Sequence, residues 1–257
     1  MFVRLAALAL AFLSVAACTP EATNTPPPST RGTAIAVAPS SSAVPAGRWR
    51  AVLIAGDNNS PAFDNGVQSL REKLIAHGVM DISIYSSNAM RAAPRQLATA
   101  ANIAAALRAG GGDACLAFVT SHGEERGFFL KTDRRLFDPA SLDRVLSAGC
   151  GSVPTVVVVS ACHSGTFLTA AMRRPNRVIL TAAAANRTSF GCGAGDQYTY
   201  YDQCLLQQFD GAATWRELAV ATRSCVESLE RRMGMKPPSE PQMFVGAQVE
   251  GLRLPSR

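Results

Sequence analysis

Histidine, tryptophan and tyrosine are scarce in this chain: three, two and four residues among 257, with aromatics at 7% and charged residues at 17%. Such a small stock of histidine, with cysteines at no ribbon or finger spacing, speaks against a structural zinc module. The formal charge of +6 comes almost wholly from arginines set singly or in pairs, as at Arg134-Arg135, Arg173-Arg174 and Arg231-Arg232. Without a long basic run or interleaved aromatics, these describe a solvated surface rather than a nucleic-acid stripe. Membrane-spanning helices are lacking too: the apolar run from Leu5 to Ala17 is too short to cross a bilayer permanently.

What is present suits one well-buried domain, with 47% hydrophobic residues. Residues 1–17 read as an export signal, in which Arg4 supplies the positive start and Leu5 to Ala17 the apolar core. Val15-Ala16-Ala17-Cys18 resembles the bacterial lipobox, whose cysteine receives the lipid. Cys18 is therefore the expected lipid attachment point, anchoring the chain in the bacterial cell envelope on the periplasmic side. Residues 18–47, with Pro26-Pro27-Pro28, Pro39, Pro45 and many Ser, Thr and Ala, hold too little large apolar surface to fold alone. They read as a tether to a domain at 48–257. In a compartment that permits disulfides, Cys192 and Cys204, bracketing a Gly-rich loop, are the first expected pair among Cys115, Cys150, Cys192, Cys204 and Cys225.

From Arg48 onward, near-continuous apolar runs predict strands at Ala51 to Ala55, Asp81 to Tyr85, Cys115 to Thr120, Thr155 to Ser160 and Val178 to Ala182. Helical periodicity falls between them at Phe63 to His77, Gln96 to Ala109 and Ser141 to Leu146, the third with Asp138 as N-cap and Pro139 at its first position. This alternation predicts an α/β fold with a mostly parallel sheet covered on both faces. After Ala182 a Gly-rich and Tyr-rich loop is expected, then a helix from Trp215 to about Arg232 with Trp215 in the core, and a last strand near Gln242 to Val245. His77, just before Gly78, suits a helix C-terminus.

Two of these strands run into reactive groups. Leu116 to Thr120 leads into Ser121-His122-Gly123, and Thr155 to Ser160 into Ala161-Cys162-His163-Ser164-Gly165. In an open α/β sheet, ligands bind beyond the carboxyl ends of the strands. If the two strands are parallel neighbours, His122 and Cys162 emerge together, the minimum a thiol peptidase needs: an imidazole that activates the thiol and protonates the leaving amine. Gly123 lets the backbone pass close to a substrate, so its N–H and that of Cys162 can face an oxyanion. The bland alternative makes Cys162 a small buried hydrophobe and His122 a turn residue.

Phe118 to Gly123 and Val159 to Gly165 resemble the His-Gly and Ala-Cys blocks of the legumains, or asparaginyl endopeptidases, of the caspase-haemoglobinase superfamily. Val52 to Gly56 resembles the family's first strand, Thr181 to Asn186 with Ser189 its block after the nucleophile, and Gly195-Asp196 with the tyrosines that follow a substrate-pocket segment. The resemblance runs in order over roughly residues 48 to 210. It implies a three-layer sandwich around a mostly parallel, about six-stranded sheet, with Cys162 as nucleophile, His122 as base and Gly123 in the oxyanion site. Where legumains carry an asparagine that steadies the histidine, this chain has Ala62, leaving Asn58, Asn65 or a main-chain carbonyl as third member. Where they carry an acidic residue after the nucleophile, it has His163.

The function expected is cysteine-type endopeptidase or transpeptidase activity on a protein or peptide substrate, with no cofactor and no metal. Cys162, His163 and His122 as metal ligands would need a further ligand that is missing. A catalytically silent lipoprotein that binds envelope proteins or peptides is the alternative from another class. The resemblance places Asp64, His163, Ser189 and Asp196 around the primary pocket, with Asp64 where legumains have an arginine. Loss of that cation implies a preference for Arg or Lys over Asn on the acyl side of the scissile bond. Against this, Asp64 as a helix cap, or Arg187 as an internal counter-ion, would cancel the effect.

Overall fold

A computed structural model describes residues 43–256; the expected signal, Cys18 and the tether as far as residue 42 lie outside the described residues. Ala46 is buried, and the Trp49 indole donates to the Val44 carbonyl at 3.1 Å, so the chain already packs on the domain there.

The elements follow in order. Strand β1 (Trp49–Ala55) leads to helix α1 (Pro61–Ala76), strand β2 (Asp81–Ser86), helix α2 (Ala100–Arg108) and strand β3 (Ala114–Thr120). Three short strands come next, β4 (Gly123–Glu124), β5 (Gly127–Leu130) and β6 (Arg135–Phe137), then helix α3 (Pro139–Gly149) and strand β7 (Thr155–Ser160). Strand β8 (Arg177–Thr181), helices α4 (Tyr200–Gln208) and α5 (Trp215–Met233) and strand β9 (Gln242–Val245) complete the domain. The central sheet runs β2-β1-β3-β7-β8-β9, parallel except for β9, as expected.

Alternate residues of each strand feed opposite faces, which is why the runs are apolar throughout. Leu53, Leu116, Phe118 and Val158 pack with α1, α4 and α5, while Val52, Ile54, Val119 and Val157 pack with α2 and α3. Trp215 is buried against Trp49 and Phe209, and Asp138 caps α3. His77 is the C-cap of α1.

Several expectations need correction. Helix α1 starts at Pro61, capped by Ser60 rather than near Asp64, and α2 starts at Ala100, capped by Thr99. The segment read as loop after Ala182 contains α4, capped by Thr199. Strands β4 to β6 form a small antiparallel sheet. Cys204 pairs with Cys225 of α5, not with Cys192, because α4 turns its sulfur into the helix interface, where the Cα atoms are 5.6 Å apart. Cys115 pairs with Cys150, and Cys162 and Cys192 are free.

Candidate active site

Strands β3 and β7 are hydrogen-bonded neighbours with Thr120 opposite Ser160. The Ser121 N–H extends this ladder by donating to the Ser160 carbonyl at 3.1 Å. The backbones carrying His122 and Cys162 therefore leave the sheet at the same height, one strand spacing of about 4.8 Å apart. Gly123 comes so close that a Cβ on it would be driven into the Cys162 carbonyl oxygen and the Ala161 side chain. Glycine is what lets the two loops meet.

The small sheet steadies the histidine segment. Phe129 donates its N–H to the His122 carbonyl at 2.9 Å, and the Ser121 hydroxyl donates to the Phe129 carbonyl at 2.6 Å. The imidazole lies edge-on to Phe63 of α1, with ring centroids 5.2 Å apart. Neither expected asparagine joins it: Asn58 is exposed, and the Asn65 amide donates to the Gln197 carbonyl at 3.0 Å.

The thiol of Cys162 is half-buried and receives the Ser189 N–H at 3.3 Å, with the Ser189 hydroxyl 3.6 Å from the sulfur. The sulfur also lies 3.6 Å from the Ser189 carbonyl. After Cys162, His163 adopts a left-handed conformation with φ 56°. Its N–H donates to the Arg187 carbonyl at 2.8 Å, and its Nδ1 lies 2.9 Å from the Ala185 carbonyl. The Gly165 N–H reaches the Ala183 carbonyl at 2.8 Å, and a Cβ on Gly165 would strike Ala184 and the Ala185 nitrogen. Left-handed backbone at a non-glycine residue costs ~1 kcal/mol or more. Here it bends the loop after β7 onto the segment that follows β8.

Burial, with the neighbouring Cys162 sulfur and the carboxylates of Asp196 and Asp57, pushes the Cys192 thiol up. Asp196 accepts the Gly193 N–H at 2.7 Å. Asp57, which sequence reasoning missed although it follows the first strand's Ala55-Gly56 directly, is buried, accepts the Asn59 N–H at 2.6 Å and lies 3.8 Å from the Lys131 ammonium.

Asp64 does not join them. Because α1 begins three residues before it, its carboxylate faces β2, where it accepts the Ser86 hydroxyl at 2.6 Å. It lines a separate cleft with Val67, Arg91 and Gln96. Arg187 reaches away to Glu240 at 3.4 Å.

A model of the Peptidase C13 family matches residues 95–228. Among solved structures, caspase-1 from Spodoptera frugiperda is similar at 12% identity, over 77% of this chain and 86% of that chain, with a TM-score of 0.56; the likeness is one of fold. No curated protein matches the chain.

Proposed function

The chain belongs to the peptidase C13 family, the legumain family of cysteine peptidases, and on that premise we propose that it cuts peptide bonds in protein or peptide substrates through an acyl-enzyme on Cys162. His122 takes the thiol proton, the sulfur attacks the substrate carbonyl carbon, and the oxyanion meets the N–H groups of Gly123 and Cys162. The imidazolium then gives its proton to the departing amine as the C–N bond breaks. Water releases the acyl group as an acid, and an incoming amine releases it as a new peptide. The observation that supports this reading above others is the β3–β7 register, with Gly123 pressed against the Cys162 carbonyl.

In the same reading Cys18 carries the lipid, and residues 18–47 tether the peptidase to the membrane on the periplasmic side. Cys18→Ala then abolishes fatty-acid labelling and membrane retention.

Cys162→Ala and His122→Ala each abolish turnover of a quenched casein substrate in the mature chain while near-ultraviolet circular dichroism stays native. Retained turnover in Cys162→Ala would sink the assignment. Absence of turnover and of acyloxymethyl ketone labelling in the wild type would favour the silent binding lipoprotein.

A further inference from the structure

Beneath the two strand ends lies a carboxyl group that this mechanism does not use. Asp202, in the first turn of α4, is fully buried. The Thr120 hydroxyl donates to its Oδ2 at 2.6 Å. The Thr199 hydroxyl, the N-cap of α4, accepts the Asp202 N–H at 3.0 Å and lies 3.3 Å from the Ser160 hydroxyl. Thr120 stands two residues before His122 on β3, and Ser160 two residues before Cys162 on β7. From α1, Gly66 leaves room for the same carboxylate oxygen, which a Cβ would meet at 2.8 Å. Oδ1 is buried with no partner among the described residues.

Among the described residues no charged group offsets this carboxylate: it meets the Thr120 hydroxyl from β3, glycine from α1, and the buried phenol of Tyr201 beside it on α4. A neutral amide would accept from the same hydroxyl, more weakly, without desolvating a charge. Burial pushes the Asp202 carboxyl up to about 6, with the three hydroxyls opposing that rise. Groups perturbed in this way gather where a fold gives up stability for function.

We infer that Asp202 is a positioning residue for the Cys162–His122 pair, fixing through Thr120 directly, and through Thr199 and Ser160 in relay, the two strand ends from which nucleophile and base project. The inference rests on the peptidase reading. The ionised carboxylate accepts from β3 through a charge-assisted hydrogen bond. Protonation removes the charge and weakens that bond, so the strand ends loosen. Ionised Asp202 therefore supports turnover, and its titration adds a second proton to the acid limb of kcat.

The test measures kcat, KM and the acid limb for the mature wild type, Asp202→Asn, Thr120→Val and Thr120→Ser, using quenched casein and coumarin peptides ending in Arg or Asn. Misplacement of reacting groups by about 1 Å costs up to roughly 100-fold, so Asp202→Asn lowers kcat by roughly ten- to a hundredfold with KM within about twofold. The acid-limb slope falls from two towards one. Thr120→Val shows the same loss of kcat, and Thr120→Ser, which keeps the hydroxyl, restores it. A folded Asp202→Asn chain with wild-type kcat and an unchanged acid limb overturns the inference. If that variant does not fold, wild-type kcat in Thr120→Val does so instead. Absence of Cys162-dependent turnover in the wild type overturns the peptidase reading itself and the positioning role with it, and the Cys162→Ala control separates that outcome from a failure of Asp202 alone.

Discussion

Cys162 and Cys192 are both free thiols in one corner of the molecule, but their surroundings differ. Cys162 receives an N–H from Ser189, whereas burial and neighbouring negative charge push Cys192 up. Since the thiolate is the reactive form, iodoacetamide at pH 7 labels Cys162 first, by roughly tenfold or more in rate, as peptide mass mapping will show; equal labelling contradicts the difference. With Asp64 in a separate cleft, a preference for Arg or Lys, as the resemblance implies, would rest on Asp196. Asp196→Asn should narrow the ratio of kcat/KM for Arg over Asn peptides by about tenfold, the scale of one charge-assisted contact, while Asp64→Asn leaves that ratio unchanged. A shift with Asp64→Asn instead would restore that residue to the pocket. The strand ends that carry His122, Gly123 and Cys162 were legible because apolar runs lead into them. Asp202 was not, because Tyr200-Tyr201-Asp202-Gln203 carries no pattern that tells a buried carboxylate from a solvated one.

Helix α4 escaped notice for a related reason. Its cap Thr199 and its buried Tyr201, Cys204 and Leu205 follow a run of glycines that reads as loop, and nine residues give little periodicity. Missing that helix led to the wrong disulfide, since connectivity depends on which way Cys204 faces. The central strands were easier: burial on both sides leaves them apolar at every position. Farther from the site, α3 is bound to the start of β8 by Arg177, whose buried guanidinium donates to Asp143 at 2.7 Å and to Ser147 at 2.9 Å. Asp143→Ala strands that cation. Breaking a buried pair from one side costs about 3–5 kcal/mol, so urea unfolding should show a loss of that size. Arg177 opens β8 at the end opposite the loop that carries Cys162, so kcat per folded molecule stays the same. A loss below about 1 kcal/mol would mean that water reaches Arg177 freely.

For the molecule as a whole, two kinds of carboxyl group set the pH dependence of stability, and they act in opposite directions. Burial alone would raise Asp143, but hydrogen bonds from Arg174 and Arg177 outweigh it and hold the group below an ordinary carboxylate. A lowered group stabilises the fold above its unfolded value and loses that contribution as pH falls through the folded one. Asp202 has the reverse sign. With its folded value pushed up to about 6, the native state keeps the proton after the unfolded chain has released it near pH ~4. Stability therefore declines as pH rises from about 4 to about 6 and stays lower above that. Two pH units correspond to ~3 kcal/mol at about 1.4 kcal/mol per unit, or roughly 6 to 12 °C in Tm for a domain of this size. Asp202→Asn abolishes this titration while keeping an acceptor for Thr120. Its Tm should exceed the wild type's by most of that amount at pH 8, and the gap should close as pH falls towards 4. Calorimetry at matched ionic strength checks it, and a gap that is constant with pH would show that Asp202 does not titrate in this range. A variant more stable at pH 8 and slower in turnover would place the cost of the buried charge and the positioning of the pair on one residue, the trade expected where a site is held at the expense of the fold.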